Sequence, residues 1–179
     1  MHESSISRDL PKPQFYAELA RELRSLTAGE PDVIANLANA SALLFHSLPD
    51  LNWAGFYLLK DGELVVGPFQ GKPACVRIAM GKGVCGTAAA RRATVLVPNV
   101  HEFPGHIACD SASNSEIVVP MIAGDELAGV LDIDSPKLGR FDAEDQAGLE
   151  EFVAVLMAAV IRSGSACGAG FSRPPEPSG

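Results

Sequence analysis

Asn52 to Phe69 reads NWAGFYLLKDGELVVGPF, two apolar runs joined by Lys60-Asp61-Gly62. Asp-Gly between apolar segments is a strong hairpin signal. Asn52 to Leu59 and Glu63 to Phe69 therefore predict an antiparallel pair in the middle of the chain. Trp53 and Tyr57 stand four apart on the first run, which puts them on one strand face. Further along, Glu116 to Ile122 and Glu126 to Asp134 flank the turn Ala123-Gly124-Asp125. Val76 to Ala79 and Thr94 to Val97 add two shorter strand candidates.

Helical periodicity brackets these strands. Phe15, Leu19, Leu23 and Leu26 recur at helical spacing, after Pro11 and Pro13 and before Gly29. Val33, Leu37, Ala40 and Leu44 mark a second helix, starting at about Asp32 and ending before Pro49. Gly83 to Arg92 (GVCGTAAARR) predicts a short helix opened by glycines. Asp142 is placed to cap a last helix whose apolar stripe is Leu149, Phe152, Val153, Leu156 and Val160. Terminal helices around hairpin-linked strands predict an α+β domain, an antiparallel sheet with the N- and C-terminal helices on one face. Irregular loops are then expected to cover the other face and to leave a ligand pocket beneath them. Residues 1–12 are expected to be a flexible segment, 13–162 the folded domain, and 163–179, rich in Gly, Ser and Pro, a disordered tail.

A chain of 179 residues that is 47% apolar can build one core without covalent staples. Its longest apolar runs, such as Val153 to Ile161, fall well short of the roughly 20 residues a membrane helix needs. The polar N-terminus carries no signal-peptide core, so a cytoplasmic protein without membrane partners is expected. The formal charge of −8, with Arg91-Arg92 the one basic cluster of note, argues against nucleic acid. Cys75, Cys85, Cys109 and Cys167 then read as reduced thiols rather than a disulfide framework. None forms a CxxC pair, which weakens zinc-ribbon and thioredoxin-like readings. Zinc held by His101, His106 and Cys109 lacks paired-ligand spacing and a fourth ligand, so no metal or cofactor is expected. Any buried cysteine is also an ordinary small hydrophobe, and Cys167 lies in the tail.

Pro98 to Ser113 is polar and irregular, and a loop of that length inside a domain usually has a function. Its sequence HEFPGHIACDSASNSEIVVPM, from His101, joins four other stretches: NWAGFYLL, FQGKPAC, GKGVCGTAAA and VLDIDS. Together they resemble the GAF-domain free methionine-(R)-sulfoxide reductases over roughly Pro13 to Arg162. GHIACDSASNSE is the specific part, since regulatory GAF domains in general do not carry it. The resemblance implies a GAF fold and reduction of free L-methionine (R)-S-oxide. It implies Cys109 as catalytic cysteine, Cys75 as its resolving partner and Cys85 as an auxiliary thiol. It implies Glu116, Asp132 and Asp134 as the acidic lining of the substrate site, with Trp53 and Tyr57 beside the substrate methyl group. It further implies a homodimer recycled by thioredoxin.

The residues make chemical sense on their own terms. A thiolate must attack sulfur while the oxygen takes up protons, and an ordinary cysteine is only about 3% thiolate at pH 7. Attack leaves a sulfenic acid that a second thiol condenses to a disulfide. Asp132 and Asp134 alternate with Leu131 and Ile133, so the two acids share one strand face and the apolar pair the other. Carboxyls at strand ends are more often simply solvated, and Trp53 and Tyr57 serve equally well as core packing. His101 and His106 are better placed to order the loop than to catalyse. The competing reading is a GAF-type sensor that binds a small ligand without turnover.

Overall fold

The computed structural model of the chain describes residues 6–7, 9–105 and 111–164, the last four by backbone alone. His106 and Cys167 lie outside the described residues. Helix α1 spans Lys12–Leu26, three residues earlier than its apolar stripe begins. Pro13 fits inside the first turn, where its missing N–H has no helical acceptor to lose. Helix α2, Val33–Ser47, starts where the Asp32 carboxylate accepts from the Ala35 N–H at 2.8 Å. Helix α4, Ala143–Gly164, is capped as its sequence predicts: Asp142 Oδ1 accepts from the Glu144 and Asp145 N–H groups at 2.9 and 3.0 Å. Asp145 Oδ2 accepts in return from the Asp142 N–H at 3.0 Å.

Six strands form one antiparallel sheet in the order β3-β2-β1-β6-β5-β4. They are β1 Trp53–Lys60, β2 Glu63–Gly71, β3 Arg77–Ala79, β4 Val95–Val97, β5 Ser115–Ala123 and β6 Glu126–Ser135. Asp61 and Gly62 take positive φ at the β1–β2 turn, as Asp-Gly allows. Between β3 and β4 runs helix α3, Gly83–Arg91, and a single 3-10 turn, Val100–Glu102, follows β4.

Each face of the sheet is buried, but in a different cluster. Ala54, Phe56, Ile117, Val119, Leu131 and Ile133 pack under α1, α2 and α4, against Leu19, Leu23, Leu44, Phe152 and Leu156. Ile6 and Leu10, ahead of α1, also pack there. Trp53, Tyr57, Val118 and Val130 face the other way, where Val84, Cys85, Ala88 and Ala89 of α3 lie over them. This changes one expectation. The second face is roofed by a helix as well as by loops, because the short alanine-rich face of α3 can approach the strands closely. Gly86 makes that seat possible, since a Cβ there would come within 2.4 Å of the Ala79 carbonyl oxygen. The Gly81 N–H also donates to the Gly86 carbonyl at 2.8 Å, closing the β3–α3 turn.

Candidate active site

Register fixes which side chains meet on the α3-covered face. Trp53 pairs with Asp134, and Asp134 with Glu116, so these three form a row across β1, β6 and β5. The next row on that face is Gly55, Asp132 and Val118. Leu131 and Ile133 point to the helical core, as alternation predicts, and the acids point away from it. Cys85 descends from α3 onto this acidic patch. Its Sγ donates to Glu116 Oε1 at 3.9 Å, and one ligand atom each from Cys85, Glu116 and Asp132 lies within 4.8 Å of the others.

These groups are out of water: Glu116 and Asp132 are each 6% exposed and Cys85 is 3% exposed. Burial is the main cause pushing Glu116 well above the usual carboxylate range, with the charges of Asp132 and Asp134 adding to it. Burial likewise raises Asp132 to about 6, while hydrogen bonding with Cys85 and Glu116 holds it back. The Cys85 thiol is driven well above its ordinary value by burial first, then by the Asp132 and Glu116 charges. Two buried carboxyls side by side cannot both ionise cheaply, so the cluster keeps a proton near neutrality. Asp132 Oδ1 is buried and has no hydrogen-bond partner among the described residues.

Aromatic rings make the neighbouring wall. Trp53 stacks on Tyr57 with centroids 5.8 Å apart and on Phe69 with centroids 5.2 Å apart. The Trp53 indole N–H donates to the Lys72 carbonyl at 3.1 Å, tying the ring to the segment that leads to Cys75. Phe69 belongs to this wall and was not singled out by the sequence. It sits opposite Gly55, where a Cβ would meet the Phe69 Cβ at 2.2 Å and the Trp53 ring at 2.8 Å. The glycine between two aromatics in WAGFY is the signal that a third ring fills that gap.

Of the proposed thiols, Cys75 is half-buried and packs against the same cluster, and Cys85 is buried within it. Cys109 lies outside the described residues, but the chain on either side of it is pinned to the site's rim. The Val100 N–H donates to the Asn114 carbonyl at 3.0 Å, and the Asn114 N–H donates to the Ser135 carbonyl at 2.8 Å. Asn52 Nδ2 donates to Ser113 Oγ at 2.9 Å. His101 Nε2 meets Asn114 Oδ1 at 2.8 Å, the loop-ordering part expected of it.

Comparison with known proteins gives this geometry its relatives. The GAF domain family model matches residues 14–160. The free methionine-R-sulfoxide reductase of Escherichia coli (strain K12) is 59% identical over 145 residues, covering 81% of this chain and 88% of that protein. The Saccharomyces cerevisiae protein of the same name is 44% identical over 160 residues, 85% of this chain and 89% of that one. The structure of free methionine-R-sulfoxide reductase from Neisseria meningitidis in complex with its substrate superimposes with a TM-score of 0.88. It is 43% identical and covers 93% of this chain and 99% of its own.

Proposed function

Since the chain belongs to the GAF family, and within it to the free methionine-R-sulfoxide reductases, we propose that this site reduces free L-methionine (R)-S-oxide to L-methionine. The observation that carries the reading is the buried, proton-holding pair Glu116 and Asp132 on a sheet face walled by Trp53, Tyr57 and Phe69. A thioether oxide needs both elements: an apolar wall for its methyl group and an acid for its oxygen. In the proposed cycle the Cys109 thiolate attacks the substrate sulfur, the oxygen takes up one proton and passes to Cys109 as the substrate S–O bond breaks, and methionine leaves. Cys109 is then a sulfenic acid, and the Cys75 thiol condenses with it, releasing water and forming a disulfide. Thioredoxin, a dithiol donor, returns both cysteines to thiols.

Glu116, Asp132 and Asp134 bind the substrate in this scheme and supply the proton that the sulfoxide oxygen takes up. An acidic lining also suits the ammonium group of a free amino acid, which a residue inside a protein chain lacks. The enzyme is proposed to work as a homodimer in the cytoplasm; no helix among the described residues is long and apolar enough to cross a membrane. The test is NADPH consumption in a coupled thioredoxin assay with separated epimers. Consumption is expected with the free R epimer and not with the S epimer or an end-blocked peptide. Absence of turnover on the free R epimer overturns the reading.

A further inference from the structure

Cys85 has only an auxiliary part in that cycle, yet it is 3% exposed and its Sγ sits on the acidic patch. We propose that Cys85, Glu116 and Asp132 form a binding site for a thiophilic divalent cation of the zinc class, whose occupation blocks turnover.

The donor set is one sulfur and two carboxylates, each from a different regular element: α3, β5 and β6. Ligands on rigid elements keep their geometry better than ligands on loops. With Zn–S near 2.3 Å and Zn–O near 2.1 Å, a tetrahedral site has an S···O edge of about 3.6 Å. The Cys85 Sγ to Glu116 Oε1 distance is 3.9 Å, so that edge closes with a shift of a few tenths of an ångström. The buried Asp132 Oδ1, which accepts no hydrogen bond among the described residues, is an acceptor without a donor. A polar atom so placed marks a position built for a further group. Cys85 shares its hydrophobic cluster with Val84, Ala88, Val118 and Val130, and in such surroundings a divalent charge offsets the crowding of three potential anions.

Three protein ligands leave a fourth position for water, the arrangement of an open zinc site. On binding, the Cys85 proton goes to solvent and a sulfur–metal bond forms, with no change of oxidation state. Carboxylates that ligate the cation cannot carry the proton for the sulfoxide oxygen. The blocking of turnover therefore rests on the proposed function, whereas the binding does not.

Cadmium is titrated into the full chain, kept reduced with a phosphine, and followed by sulfur-to-metal charge-transfer absorption. One tight site is expected in the wild type and in Cys167→Ser and Cys109→Ser. Cys85→Ser should lose it. Asp132→Asn should weaken it by more than the roughly 10–100-fold that loss of an outer-sphere partner costs. Cobalt bound to the wild type gives a reading that needs no variant: four-coordinate absorption with one sulfur charge-transfer band. Wild-type affinity in Cys85→Ser, or an all-oxygen six-coordinate cobalt spectrum, overturns the site. Methionine released by the reduced chain in a donor-free reaction is then compared with and without cadmium. Release at the unloaded rate by loaded protein overturns the block. A chain that releases none even without metal overturns the proposed function instead, and the titration still decides the site.

Discussion

Burial pushes the Asp132 carboxyl up to about 6 from an ordinary value of 3.8, so the folded chain keeps a proton that the unfolded chain has already lost. Stability linked to this group is complete below the unfolded value and drains away as pH rises through the folded one. Asp132→Asn cannot ionise, so relative to the wild type it should gain stability between pH 4 and pH 8, as urea melts at the two pH values would measure. Parallel pH dependence of the two proteins would refute the assignment. The same substitution removes a proton source and should slow turnover by about 10²–10⁴-fold, as loss of a general acid does. At the thiols, Cys109→Ser should abolish reduction, while Cys75→Ser should release about one methionine per chain and stall at the sulfenic acid. Quantifying methionine without a donor checks this, and continued turnover by Cys75→Ser would pass the resolving part to Cys85.

Among the elements, helix α3 has no N-cap side-chain hydrogen bond at Lys82, and its seat depends on Gly86. Gly86→Ala forces a Cβ toward the Ala79 backbone oxygen and should move the turn that carries Cys85. A cost of about 1–3 kcal/mol and slower turnover are expected, measured by thermal melts and the coupled assay. Gly124→Ala, at positive φ in the β5–β6 turn with open space around it, should cost about 1 kcal/mol and leave turnover unchanged. Strand pairs were legible because their turns carry Asp-Gly or Gly-Asp, and the facing of Asp132 and Asp134 followed from period two alone. The place of Phe69 in the aromatic wall was not. Counting back from the turn sets Pro68 opposite Gly55, but a bulge between Gly55 and Tyr57 brings Phe69 there. Pro68 cannot donate to the ladder, and its carbonyl instead accepts from Ser41 Oγ at 3.0 Å, a partner 27 positions away. The covering by α3 was hidden for a similar reason, since it depends on contacts between alanines and strands distant in sequence.

At the scale of the whole molecule, the two ends of the fold are joined by one buried acid. Asp145, 1% exposed, accepts from Tyr16 Oη at 2.8 Å and Lys12 Nζ at 2.7 Å, and Arg140 approaches it at 3.3 Å. Lys12 and Tyr16 belong to α1 and Asp145 to α4, so this cluster fastens the first helix to the last. Asp145→Ala would leave the largely buried Arg140 guanidinium and the Tyr16 hydroxyl facing a void, while Lys12 keeps Asp142, and should cost about 3–5 kcal/mol in urea denaturation. Tyr16→Phe, which removes one hydrogen bond, should cost closer to 1–2 kcal/mol (about). Neither residue touches the acidic patch, so turnover below the unfolding transition should be preserved in both. The chain also has a single tryptophan, Trp53, and it lies 3% exposed in the aromatic wall. Its emission is therefore an optical signal from one known place, blue-shifted while the indole is dry. Stopped-flow fluorescence without any added dye should record substrate arrival and disulfide closure as separate phases, because the ring neighbours the acids on one side and the Cys75 segment on the other.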